Sequence, residues 1–245
     1  DNGYGNGFAN SFAGGSINES VGNFNQRKAK TEKLVYWGES HDTYANDGGE
    51  SKNKSQNVID RAYAVVAGNN GATALYFSRP FQKDKGAIKF GDKGSVHFKD
   101  AEVAQVNYMH NVCAGEPNYY VKGNGVCAQV RKSGAIIVLG SGSDRDVTVA
   151  NGAGDGKWLK PGTYKDMVGG GAFTVNASTI SGHVGESGIA VIYNAGSIVL
   201  PPEVVFNPAD GTAFSDETLT VTATPLNAVS AWIQVNDGAK QDFTA

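Results

Sequence analysis

The chain has 245 residues and a mass of 25.6 kDa, room for one large domain or two to three small ones. Glycine takes 33 positions, nearly twice the usual share of ~7%, and charged residues are 18% against a usual ~25%, a balance that favours turn-rich β structure. With a net charge of −3 and Lys and Arg scattered, the basic footprint of a nucleic-acid binder is missing, and no apolar run reaches the ~18–20 residues of a membrane-spanning helix.

The chain starts at Asp1 without Met, so an upstream segment, an export signal included, is left open. Phe8, Phe12 and Ile17 are spaced for a short amphipathic helix within Gly5 to Ile17. Leu34-Val35-Tyr36-Trp37 reads as a short buried strand that ends in the polar cluster Glu39-Ser40-His41-Asp42. From Ser55 to Gly68, Val58, Ala62, Val65 and Val66 form one helical stripe, with Ser55 as cap and Gly68 as stop. Ala72 to Phe77 is a second strand, ended by Arg79-Pro80. Asp100 to Cys113 is a second helix, capped by Asp100 and stopped by Gly115. Strand, helix, strand, helix is the pattern of parallel βα units, and two such units can neither cover nor close a parallel sheet. This portion therefore reads as part of a larger α/β structure.

From Gly125 the pattern changes. Val126 to Val130, Ala135 to Gly140, Asp146 to Ala150, Thr163 to Val168, Ala172 to Asn176 and Gly188 to Tyr193 are short strand-like runs separated by turn residues, as in an antiparallel sandwich. Pro201-Pro202 breaks the chain again. Val204-Phe206, Leu219-Ala223 and Ala231-Val235 follow, in a stretch too short for a secure core. The expected division is an α/β portion at 1–115, an antiparallel β domain at 116–195 and an incomplete β-sandwich at 196–245.

Two cysteines, Cys113 and Cys127, cannot form a zinc site without a histidine at ligand spacing. In an exported protein they would close a disulfide around the intervening loop; the alternative is two unrelated buried thiols. Gly140-Ser141-Gly142 has no helix after it and is a turn, not a nucleotide loop. His97, His110 and His183 stand isolated and read as structural or exposed, and Arg79 reads as a loop anchor more readily than an anion ligand. His41 and Asp42 differ, because they follow a parallel strand. That is where βα folds gather their active-site groups, and a carboxylate beside an imidazole can hold a polyhydroxylated ligand. The competing reading is a polar strand end.

Leu34 to Asp47, LVYWGESHDTYAND, closely resembles the fourth conserved stretch of secreted bacterial α-amylases of glycoside hydrolase family 13. The likeness continues through NVIDRAYAVVAGNNGATALYFSRP at Asn57 to Pro80, Val103 to Gly115 with its MHNVCAG, and GIAVIYN at Gly188 to Asn194. The resemblance implies the C-terminal βα units of a (β/α)₈ barrel, the small antiparallel C domain, and endo-hydrolysis of α-1,4 bonds in starch, amylose and maltooligosaccharides by a retaining mechanism. Asp42 matches the carboxylate that stabilises the oxocarbenium-like transition state, His41 a histidine that hydrogen-bonds sugar, and Asn46 a contact to nearby glucose units. The nucleophile, the acid/base and most calcium ligands belong upstream in that family, so the chain alone is expected to be inactive and calcium is expected only in a complete enzyme. Gly38 stands where relatives carry a larger residue. The last stretch, with PADGTAFSDETLTVTATP and Trp232, resembles starch-binding sandwich modules, in which Trp232 is either a sugar-stacking face or an interior residue. The contrasting function is a non-catalytic starch binder at the cell surface.

Overall fold

A computed structural model describes residues 2–17, 30–45 and 51–194 and, in the last fifty, 203–208, 213, 215, 218, 220–226 and 230–243. Residues 1–195 form one compact unit and 196–245 a second.

The first unit opens with α1 (Asn2–Ala13), whose Phe8 and Phe12 are buried and stacked with ring centroids 6.2 Å apart where the helix meets α3 (Gln56–Ala67). Strand β1 (Val35–Tyr36) pairs in parallel with β2 (Thr73–Ala74), Val35 opposite Thr73 and Tyr36 opposite Ala74. Parallel pairing confirms the βα reading, although only two residues of each expected strand pair and no closed barrel is present among the described residues. A five-residue helix, α2 (His41–Ala45), follows β1 directly. In α3 the Ser55 hydroxyl accepts from the Val58 amide at 3.3 Å, the expected cap, and nearly every residue from Ile59 to Ala67 is buried.

Helix α4 (Ala101–Val112) buries Val103, Val106 and Met109 as its spacing requires. Asp100 holds the N-cap position but makes no side-chain cap bond, because its carboxylate is taken by the His97 ring.

Gly38 explains itself by close approach. A Cβ there would lie 2.9 Å from the Tyr63 amide nitrogen and 3.2 Å from the Ile59 carbonyl, so the α3 backbone packs where a larger residue would sit. The packing behind the strand end is therefore tight, not loosened by the small residue.

Eight further strands make two four-stranded antiparallel sheets. One runs β10 (Ile189–Tyr193), β5 (Gly134–Leu139), β4 (Val126–Val130), β3 (Tyr119–Gly123); the other runs β6 (Arg145–Ala150), β9 (Thr179–Val184), β8 (Ala172–Val175), β7 (Gly162–Lys165). Between them lies a core that includes Val130, Ile137, Leu139, Phe173, Ile180 and Ile192. All residues of β4, β5 and β10 are buried, since α3 and α4 cover the outer face of their sheet. Strands β6 and β8 bury alternate residues and show their other face to water.

Two buried arginines join helices to sandwich. Arg61 of α3 donates to the carbonyls of Leu139 at 3.1 Å, Gly142 at 2.7 Å and Ser187 at 3.3 Å. Arg131, fully buried just past β4, donates to the Gly68 carbonyl at 3.0 Å and to the Cys113 carbonyl. Those two oxygens lie at the C-terminal ends of α3 and α4, where the helix dipoles present negative charge to the guanidinium.

The expected disulfide is not formed: Cys113 and Cys127 are both free and buried. Burial pushes both thiols up to about 12.

In the second unit, β11 (Glu203–Asn207) pairs antiparallel with β12 (Thr222–Leu226) and β13 (Ala231–Ile233) with β14 (Gln241–Phe243). The strand expected at Leu219–Ala223 thus begins three residues later. None of the residues of this unit whose burial is described is buried.

Candidate functional site at the carboxyl end of the parallel strands

The chain beyond β1 turns at once into α2 because Ser40 and Thr43 cap it reciprocally. The Ser40 amide donates to the Thr43 hydroxyl at 2.9 Å and the Thr43 amide to the Ser40 hydroxyl at 3.4 Å. The Ser51 hydroxyl then donates to the Thr43 carbonyl at 2.7 Å and ties the next loop down. These contacts set His41 and Asp42 in the first turn of α2, with side chains 82% and 51% exposed and His41 Nε2 3.5 Å from Asp42 Oδ1.

Glu39 faces the other way. It is fully buried and forms a bidentate pair with Arg79, Nε to Oε2 at 2.7 Å and Nη2 to Oε1 at 2.8 Å. The same guanidinium donates to the carbonyls of Ser51 at 2.7 Å and Lys54 at 2.9 Å and lies 5.5 Å from the centroid of the Tyr44 ring. Arg79 is therefore the loop anchor that its place before Pro80 suggested. One carboxylate of the Glu39-Ser40-His41-Asp42 cluster is committed to structure and the other is presented to solvent.

Beside His41 opens a cleft of about 730 Å³. Tyr44, Phe77 and Phe98 give it aromatic walls, Ile88 and Val96 add aliphatic ones, and Tyr44 and Phe77 lie with ring centroids 5.7 Å apart. Apolar walls with a few polar groups at the rim suit a ligand with alternating apolar faces and hydroxyl edges. Asp42 adjoins this cleft through His41 but is not part of its wall. Asn46 lies outside the described residues. Trp232, in the second unit, is 52% exposed on β13, with Lys240 Nζ 3.7 Å from its ring centroid. It is not an interior residue.

His97 is not isolated. Its Nε2 lies 2.8 Å from Asp60 Oδ2 and 3.6 Å from Glu102 Oε1, and its Nδ1 2.5 Å from Asp100 Oδ2. Asp60, His97 and Glu102 are the one set among the described residues whose ligand atoms gather closely enough for an ion. They do not suit calcium, which takes six to eight oxygens, because Asp60 already accepts from Tyr76 and Gln56 and the third group is an imidazole. No sequence spacing advertised this cluster: Asp60 is 37 residues from His97 and meets it only because α3 packs beside the start of α4. His110 Nδ1 meets the Ala67 carbonyl at 2.5 Å, and His183 Nδ1 meets Asp146 at 2.9 Å at the surface.

The fold matches one class of protein. No protein-family profile matches the chain. Among solved structures it is similar to wild-type α-amylase I from Eisenia fetida, with a TM-score of 0.59 and 18% identity over 78% of this chain and 48% of that one. A cyclomaltodextrin glucanotransferase with a three-domain ABC distribution follows at TM-score 0.53 and 14% identity, over 78% of this chain and 43% of that one. These likenesses establish the fold. By sequence it is similar to an α-amylase from Butyrivibrio fibrisolvens, 30% identical over 179 residues, and to one from Clostridium acetobutylicum, 28% identical over 169 residues. The matches take in 67% and 68% of this chain, which spans only 18% and 20% of those relatives. They fit the C-terminal part of an α-amylase.

Proposed function

We propose that this chain is part of a secreted, retaining α-1,4-glucan hydrolase acting on starch, amylose and maltooligosaccharides. Asp42 binds sugar hydroxyls and stabilises the cationic transition state. One observation supports this above the rest: of the two acidic groups after β1, Glu39 is buried and neutralised by Arg79, while Asp42 stands half exposed beside His41 at the rim of an aromatic-walled cleft. A retaining glycosidase needs a nucleophile and an acid/base in addition. The matching motif supplies neither, so both are assigned to segments outside this chain, as are the ligands of any calcium.

In this reading the rings of Tyr44 and Phe77 offer apolar faces to glucose units. His41, rooted in the first turn of α2, donates to a hydroxyl beside the cleaved bond, and Asn46 serves a neighbouring unit. The Asp42 carboxylate offers negative charge where oxocarbenium character develops, in a cleft that closes off water when glucan fills it. Trp232, half exposed in the second unit, is assigned a weak stacking role on starch.

Reducing-sugar release from soluble starch tests the proposal. The 245-residue chain alone should release no more than a heat-killed control. Joined to the segment that bears nucleophile and acid/base, Asp42→Asn should keep the fold and lower turnover by roughly 10³-fold or more, and His41→Ala by about 10–100-fold. Activity of the isolated chain, or an Asp42→Asn enzyme within tenfold of the parent, overturns the assignment.

A further inference from the structure

We propose that His97 is a positioning residue that, in its protonated form, latches one wall of the cleft in place, making glucan binding by this site pH-dependent. The inference rests on the proposed reading of the cleft as a glucan site, but the latch itself is tested separately.

The geometry is specific about protonation. Both ring nitrogens face carboxylates: Nε2 meets Asp60 at 2.8 Å with Glu102 at 3.6 Å, and Nδ1 meets Asp100 at 2.5 Å. A neutral imidazole donates from one nitrogen only and would point its lone pair at a carboxylate on the other side. The imidazolium satisfies both carboxylates as donors. The groups facing it come from three directions: Asp60 from α3, Asp100 and Glu102 from the start of α4, and Tyr76, whose hydroxyl donates to Asp60 at 2.9 Å, from the chain after β2.

The latch acts on the cleft through its neighbours. Ser95, Val96 and Phe98, on either side of His97, line the cleft, and apart from the bridge of Gly94 to Pro80 and the bond of Ser95 to Arg79, the backbone bonds described for residues 94–99 are local to the segment. The Ser95 amide donates to the Arg79 carbonyl at 2.8 Å, and the Asp100 amide to the His97 carbonyl at 3.0 Å. Asp60 is buried on a packed helix, so a charged bond to it ties Val96 and Phe98 to the rigid body of the unit.

The sign follows from linkage. Burial opposes charge on His97, but Asp60, then Asp100 and Glu102, outweigh it, and the ring's pKa is raised above 6.5. Burial raises Asp60 as well, against the bonds from Gln56, His97 and Tyr76. Both groups hold protons more tightly when folded than when unfolded. The His97 contribution is thus fully present below pH 6.5 and is lost as pH rises through its folded value, whereas that of Asp60 is fully present only below 3.8.

The test is amide hydrogen exchange of residues 94–99 in the 245-residue chain, corrected for intrinsic rates, across pH 5 to 9. Protection should fall about tenfold as His97 deprotonates. His97→Gln should show the low protection at every pH. Asp100→Asn, a half-exposed change that spares the core, should shift the midpoint downward. Flat protection in the parent, or a His97→Gln protein as protected as the parent at pH 5, overturns the latch. Maltoheptaose titration of the same samples separates the two claims: affinity should track protection, and a working latch with no maltoheptaose binding at any pH counts against the glucan site alone.

Discussion

At the scale of single residues, the site depends on which charges are exposed and which are spent. Glu39 and Asp42 are three positions apart in a polar run, and only the fold separates their roles. Arg79 reaches Glu39 from 40 residues away and neutralises it, which leaves Asp42 to face solvent. Removing one partner of a buried pair strands the other without water, at a typical cost of about 3–5 kcal/mol. Arg79→Met should therefore destabilise the first unit by about that amount in urea unfolding, and Glu39→Gln by less, since its amide can still accept from the guanidinium. A loss under about 0.5 kcal/mol for Arg79→Met would mean that the anchor is dispensable and that the cleft is held by other contacts.

Among elements, the junction of α3 with the two-sheet domain is where the chain's halves depend on each other. Arg61 crosses it with three bonds to carbonyls, and Asn57 adds a fourth at 2.5 Å to the Ser187 carbonyl. Gly188 makes room for the guanidinium and holds φ +70°, a conformation that costs a residue with a Cβ about 1 kcal/mol or more. Gly188→Ala should thus lower stability by about 2–4 kcal/mol, the strain plus displaced bonds from Arg61. The mutant's unfolding transition should show helix and sandwich signals falling together. A change below about 0.5 kcal/mol would show that Arg61 relaxes without loss.

For the molecule as a whole, the two units differ in what holds them. The buried apolar residues run from Phe8 to Tyr193 within 1–195, while none of the residues of 196–245 whose burial is described is buried. With no buried side chain among those whose burial is described, the second unit shows less to offset its chain entropy. Limited proteolysis should accordingly remove 196–245 first and leave a resistant product ending near residue 195. Survival of the 203–243 strands at protease levels that cut the first unit would overturn this ranking. No helix of the described residues is long and apolar enough to cross a membrane.

Local pattern determined much of this by itself. The helices at 56–67 and 101–112 are legible because apolar residues recur at helical spacing between a polar start and a glycine stop. The strands at 126–130, 134–139 and 189–193 read as apolar runs, broken only by Gln129, because both of their faces are buried. The motif around His41 and Asp42 is local as well, so it survives in the sequence alone. Two strands, Tyr119–Gly123 and Thr179–Val184, escaped notice because one face of each is polar and glycine interrupts or ends them. What tertiary structure decided are the relations between distant residues: Glu39 with Arg79, Asp60 with His97, Arg131 with two helix ends, and two cysteines buried as free thiols. Periodicity records which face of an element is apolar. It does not record which charged group a partner element brings against it, since that depends on how the elements pack.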